Sequence, residues 1–150
     1  MSYVTLTYHI VIATYGRLHS IDPDYETELY RFIFTYLKNR DVYVRRIGGM
    51  PDHVHILCDI PPKYAISEVI KGLKAESSKY LLSNPHFPHW QKWSRRYGCF
   101  AVSADKREIV KNYIMNQRSH HITQSCREEF VSLLLKDGFS IEVPALGDRE

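Results

Sequence analysis

Apolar residues recur along this chain with two periods. Residues 4–13, Val-Thr-Leu-Thr-Tyr-His-Ile-Val-Ile-Ala, are rich in β-branched side chains and predict a first strand. Asp22 and Pro23 then offer a helix start, with the proline near the first helical position. Leu29, Phe32, Ile33, Tyr36 and Leu37 follow at i, i+3, i+4, i+7 and i+8, the stripe of a helix laid on a core, and Asn39 ends it. Residues 42–47 predict a second strand, and Gly48, Gly49, Met50 and Pro51 a turn. Pro51 and Asp52 lead into a third strand over residues 54–60, which Pro61 and Pro62 stop. Ile66, Val69, Ile70, Leu73, Tyr80 and Leu81 mark a second helix, residues 84–89 a loop and residues 97–103 a fourth strand. A third helix is expected over about 105–120. Ser125 with Glu128 forms a capping box that opens a fourth helix carrying Phe130, Leu133 and Leu134, and Gly138 stops it.

The order is strand, helix, strand, strand, helix, strand, then two helices. That predicts an α+β, ferredoxin-like βαββαβ antiparallel sheet with a C-terminal helical extension. The first and third strands would be central. One domain is expected over residues 1–150, with a core at about 3–139 and a loose tail over 140–150. A hydrophobic content of 44% with 25% charge suits a soluble globular protein, and no apolar run approaches a membrane span. The N-terminus lacks the basic region of a secretory signal, so the expected compartment is the cytoplasm, with no membrane partner. Cys58, Cys99 and Cys126 are odd in number and widely spaced, which points to reduced packing cysteines. The net charge of +3 permits a polyanionic partner without demanding one.

Candidate chemistry starts at His53 and His55. Side chains alternate across a strand, so the two share a face, about 6.6 Å apart along the backbone. Burying two polar rings in an apolar strand is costly unless something uses their nitrogens, and imidazoles so placed can converge on one metal ion. The second anomaly is Gln117. The third helix turns Ile109, Val110, Tyr113 and Ile114 to one side, and Gln117 falls one turn after Tyr113 on that side. A glutamine there needs a hydrogen-bond partner or a metal. A divalent ion held by His53, His55 and Gln117 would polarise a phosphoryl oxygen, and Tyr113 would attack the phosphorus as its phenolate. Asp52 serves either the turn or as an acceptor that orients a histidine. His120 is on the same side of the helix, as a helix-end residue or a further support of the site. His9 is read as packing or as a nearby DNA contact.

These stretches together resemble a family. Tyr8-His9-Ile10-Val11, the run from Pro51 to Leu57, the segment from Glu68 to Tyr80 and the run from Tyr113 to Gln117 with His120 and His121 are similar to the single-tyrosine HUH transposases of the smallest bacterial insertion sequences, and to the related REP-associated tyrosine transposases. The resemblance covers roughly residues 3–139. It implies that Tyr113 is the catalytic nucleophile and forms a 5′-phosphotyrosine, and that His53, His55 and Gln117 are the metal ligands. It implies Mg2+ or Mn2+ as the ion, imidazole making manganese more comfortable than in an all-oxygen site. It further implies a substrate of single-stranded DNA with hairpin ends, and a homodimer in which the tyrosine helix can serve the partner's site. The stretch Tyr15-Gly16-Arg17 is shorter and less basic than in the family.

Positive charge is spread over Arg45, Arg46, Lys71, Lys74, Arg95, Arg96 and Lys111, with Trp90, Trp93 and Tyr97 interleaved near the fourth strand. Basic groups that track phosphates beside aromatics that stack bases suit single-stranded DNA, although solvated faces carry such charges too, and paired tryptophans also build cores. The competing function is a non-catalytic, domesticated module that grips nucleic-acid hairpins. Histidine-triad hydrolases would need a further histidine where Leu57 stands. Two-histidine phosphodiesterases would need a Ser or Thr two residues after a histidine, and neither His53 nor His55 has one.

Overall fold

A computed structural model of the protein describes residues 2–116. Its element order is β1 (Thr7–Thr14), α1 (Glu26–Lys38), β2 (Tyr43–Met50), β3 (His53–Asp59), α2 (Ile66–Leu82), β4 (Trp93–Val102) and α3 (Arg107–Met115), with short 3-10 turns after β1 and before α3. The sheet order is β2-β3-β1-β4 and every pairing is antiparallel. This is the expected α+β, ferredoxin-like arrangement, with β1 and β3 inside.

Alternation along the central strands divides the molecule. Ile10, Ile12, Val54, Ile56 and Cys58 face one side and pack with Leu29, Ile33 and Leu37 of α1 and Val69, Ile70, Leu73 and Leu81 of α2. Burial of these side chains, each stabilising by roughly 1.5–3 kcal/mol, holds the helices to the sheet. Trp90 and Trp93 join this core rather than forming an open platform for bases. Their indoles donate to Ser78 Oγ at 3.1 Å and Ser77 Oγ at 2.9 Å, which satisfies the two N–H groups that burial would otherwise strand. Cys58 and Cys99 are free thiols, and burial pushes them up to about 12 and about 11, far from a reactive thiolate.

Several boundaries move, for physical reasons. β1 begins at Thr7 because its partners run out: Thr7 pairs with Asp59 and Val102, the last residues of β3 and β4. Asp22 does not cap α1. Its carboxylate accepts from the Asp24 N–H at 2.9 Å in a local turn, and the helix starts at Glu26. β2 continues through Gly48, Gly49 and Met50, which the sequence suggested were a turn, so only Pro51 and Asp52 connect β2 to β3. A side chain at Gly49 would strike the His53 carbonyl oxygen across this tight hairpin. β4 starts earlier than expected because a bulge in β1 between Ile12 and Thr14 lets Trp93 pair with Thr14. The predicted fourth helix, its capping box at Ser125 and the stop at Gly138 lie outside the described residues. No described helix is long and apolar enough to cross a membrane.

Candidate active site

The other face of the sheet carries the polar residues. His53, His55, Leu57 and Asp59 alternate along β3, and Thr7, His9 and Val11 along β1. His53, His55 and His9 are buried, at 1%, 0% and 3% exposure. Three buried imidazoles in mid-sheet require partners, and the structure supplies them. His53 Nδ1 meets Asp52 Oδ1 at 2.7 Å, and His55 Nδ1 meets His9 Nε2 at 2.7 Å. The His53 and His55 rings stand edge to face with centroids 4.9 Å apart, while His9 stacks on His55 at 4.9 Å. His9 reaches His55 diagonally, because Leu57 is the β3 residue opposite His9 and Val11 the β1 residue opposite His55.

Asp52 makes two contacts. Its carboxylate holds His53, and its carbonyl oxygen accepts the Thr14 N–H at 2.9 Å, which ties the β2–β3 turn to the end of β1.

α3 lies across this histidine face. It begins at Arg107, whose Nε donates to Thr7 Oγ1 at 3.0 Å, and it runs toward the histidines. The Tyr113 ring comes within 5.8 Å of His55 and 6.2 Å of His9, in edge contacts within one chain. Gly48, paired with His55 across the β2–β3 ladder, makes this approach possible. A methyl group at Gly48 would sit 2.8 Å from Ile114 Cγ2 and 3.1 Å from the Ile114 carbonyl oxygen. Gly48→Val is therefore expected to push α3 off the sheet. A misplacement of about 1 Å costs on the order of 100-fold in a reaction that depends on alignment, so any reaction that Tyr113 carried out at the histidines would slow by that much while the sheet stays folded. Rates of adduct formation beside far-ultraviolet circular dichroism would check this; an unchanged rate would mean that α3 does not need this seat.

Gln117 and His120 lie outside the described residues. Among the described residues, no group of three His, Cys, Asp or Glu side chains could hold a metal ion. The donor set nevertheless fits one. The δ nitrogens of His53 and His55 are engaged by Asp52 and His9, so the ε nitrogen of each ring is the atom a metal would take. Two imidazoles need oxygen ligands to complete a shell, and a side-chain carbonyl, water and phosphate oxygens are of that kind.

The basic residues separate into groups. On β2, Arg45 sits at a bulge between Val44 and Arg46 and forms a two-pronged pair with Asp59, Nε to Oδ1 at 2.9 Å and Nη2 to Oδ2 at 2.7 Å. Proposed from sequence as a DNA contact, it is held by this carboxylate in the fold. Burial raises the Asp59 carboxyl, but hydrogen bonds from Arg45 and Thr7 outweigh it, and the net displacement is below the usual carboxylate range. A depressed folded-state value means the carboxylate's contribution is complete at neutral pH. It is lost as the pH falls from about 4 through that lower value. Asp59→Asn should lower Tm at pH 7, and the gap from wild type should narrow as the pH falls below the usual carboxylate range. Thermal melts at pH 7 and below that range would test it, and an equal gap at both would contradict it.

Arg46 is exposed and lines a cleft of about 290 Å3 between Glu26, Gly49 and Met115. Arg95 and Arg96 are exposed on β4, at the opposite edge of the sheet, and Lys71 is exposed on α2. Lys74 is half-buried, its Nζ donates to the Arg95 carbonyl oxygen at 3.0 Å, and desolvation lowers its pKa. Lys111 is partly exposed on α3. The DNA contacts suggested by sequence thus fall on the edge strands β2 and β4, on α2 and on α3. The Arg45–Asp59 pair and the His9 contact to His55 escaped sequence reasoning. The alternation of β1 was the available signal for His9, because it puts His9 on the face away from Ile10 and Ile12.

Residues 2–117 match the family described as "Transposase IS200 like". Over 73 residues the chain is 33% identical to the ISDra2 transposase TnpA of Deinococcus radiodurans, a match covering 45% of this chain and 52% of the relative. The chain thus spans about half the length of that curated relative. A solved structure of a candidate transposase from Deinococcus radiodurans R1 superposes with a TM-score of 0.59 at 27% identity, covering 78% of this chain and 95% of the other. A REP-associated tyrosine transposase bound to a REP hairpin superposes with a TM-score of 0.62 at 14% identity, covering 81% of this chain and 72% of the other. At that identity the second likeness speaks for the fold.

Proposed function

The chain belongs to the IS200-like transposase family, and on that premise we propose that it cleaves and rejoins single-stranded DNA through Tyr113. The observation that carries this function is the Tyr113 ring 5.8 Å from His55, on the sheet face that also presents His53. Tyr113 Oη attacks the scissile phosphorus, the P–O3′ bond breaks, and one strand departs with a 3′-hydroxyl. The other stays on the protein as a 5′-phosphotyrosine. In the second transfer a 3′-hydroxyl attacks that phosphorus, which restores the phenol and makes a new phosphodiester. Each step exchanges one P–O bond for another, so rejoining needs no nucleotide triphosphate.

A free phenol titrates at about 10, so the proton on Tyr113 Oη must be drawn off as the new bond forms. A Mg2+ or Mn2+ ion held by His53, His55 and Gln117 would supply positive charge at a non-bridging phosphate oxygen. The protein's own part is to hold the two imidazoles rigidly, through Asp52 and His9, and to seat Tyr113 against them. The substrate we assign is single-stranded DNA bearing hairpin ends, supported by the hairpin-bound relative with the same fold. Lys71, Lys74, Arg95, Arg96, Arg46 and Lys111 are the basic groups that would follow its backbone. The working form we assign is a homodimer. Exchange of the tyrosine helix between its copies would require α3 to leave its seat on Gly48.

Incubation with 5′- or 3′-labelled hairpin-bearing single strands and Mn2+ should give an adduct stable in denaturing gels, carrying the label 3′ of the cut. Chelation should remove it. Tight hairpin binding with no adduct at any metal concentration would instead identify a non-catalytic binding module.

A further inference from the structure

We propose that His9 is a positioning residue for His55, an inference that rests on the metal-site reading above. His9 lies 46 positions before His55 in sequence, and its Nε2 is 2.7 Å from His55 Nδ1. A hydrogen bond between two imidazoles needs one N–H and one lone pair. If His9 donates, His55 carries its proton on Nε2 and offers no lone pair there. If His9 accepts, His55 is protonated on Nδ1 and its buried Nε2 presents a lone pair. A ligating His55 needs the second arrangement, and the neighbouring histidine has the same form. His53 Nδ1 faces the Asp52 carboxylate, which only accepts, so His53 presents Nε2. His9 performs for His55 what Asp52 performs for His53: an acceptor behind the δ nitrogen that aims the ε nitrogen outward.

The surroundings hold His9 to that task. It is 3% exposed, stacks on His55 at 28° between planes, and is flanked by Phe100 at 6.2 Å and Tyr113 at 6.2 Å. A ring so enclosed keeps its orientation, and the lone pair on Nε2 points along the bond to His55. Ligating histidines generally donate their second N–H to such an acceptor, and its loss typically costs about 10–100-fold in metal affinity.

Long-range proton–nitrogen NMR of the metal-free protein reads the tautomer directly, with no variant required. The proton is expected on His55 Nδ1, and finding it on Nε2 would overturn the proposal. Mn2+ titration then compares variants. His9→Leu, which keeps apolar bulk but has no acceptor, should bind Mn2+ about 10–100-fold more weakly, whereas His9→Gln, which retains an acceptor oxygen, should stay within about threefold of wild type. Hairpin binding in chelator and circular dichroism should be the same in all three proteins. Equal Mn2+ affinity in His9→Leu and wild type would overturn the positioning role while leaving the metal site standing. If His53→Ala and His55→Ala also leave Mn2+ affinity unchanged, the metal-site reading itself is lost.

Discussion

Tyr113→Phe is expected to abolish the covalent DNA adduct, lowering strand cleavage by about 10^4-fold or more, as removal of a nucleophile does in enzymes that work through a covalent intermediate. The variant removes the hydroxyl and keeps the ring. The ring contacts of Tyr113 with His55 and His9 are edge contacts of the aromatic ring, which phenylalanine reproduces. The seat of α3 on Gly48 belongs to Ile114 and is untouched. Folding and hairpin binding should therefore be unchanged, so the loss would report chemistry alone. Denaturing gels of labelled single strands with Mn2+ make the measurement. An adduct that persists in Tyr113→Phe would move the nucleophile to another of the 11 tyrosines and refute the assignment.

His55→Ala should have the next largest effect. Loss of the charge stabilisation that a bound cation supplies amounts to several kcal/mol, and at about 1.36 kcal/mol per decade this is a fall of roughly 10²–10³-fold in cleavage. The substitution also opens a gap beneath Tyr113 and removes the His9 hydrogen bond, for a stability cost of about 1–3 kcal/mol. Raising Mn2+ should not restore the rate, because the alanine methyl has no donor nitrogen. Hairpin affinity measured in chelator should stay at the wild-type value. A variant that cleaves normally, with an unaltered Mn2+ dependence, would show that His55 is a packing residue.

Much of this site was legible before any coordinates. The spacing of His53 and His55 placed them on one face of one strand, as found, whereas the reading of Gln117 falls outside the described residues and Ile109, expected on the inward stripe, is exposed. The histidine inference needs only the period of a strand. Arg45 shows where such inference stops. In sequence it is half of a basic pair beside Arg46. In the fold a bulge turns it toward Asp59, 14 residues later, and the carboxylate holds it at 2.7 Å. Nothing local signals a bulge between Val44 and Arg46, because it answers to the register of the partner strand. Gly48 is a similar case. Beside Gly49 it suggests a turn, yet it is a strand residue kept small by the helix that crosses above it.

Periodicity along the chain was sufficient for the types of the described elements, the βαββαβ order and the shared face of His53 and His55, since each depends on backbone geometry within a few residues. The partner of His55 and the seat of Tyr113 came from long-range packing. His9 and His55 meet because β1 and β3 pair in one register among several that alternation alone would allow. Tyr113 meets them because α3 settles on a glycine in β2 and is tied at its start to Thr7 in β1. Contacts between residues 46 or more positions apart follow from the burial of whole faces, and no window of sequence short enough to show a period contains them.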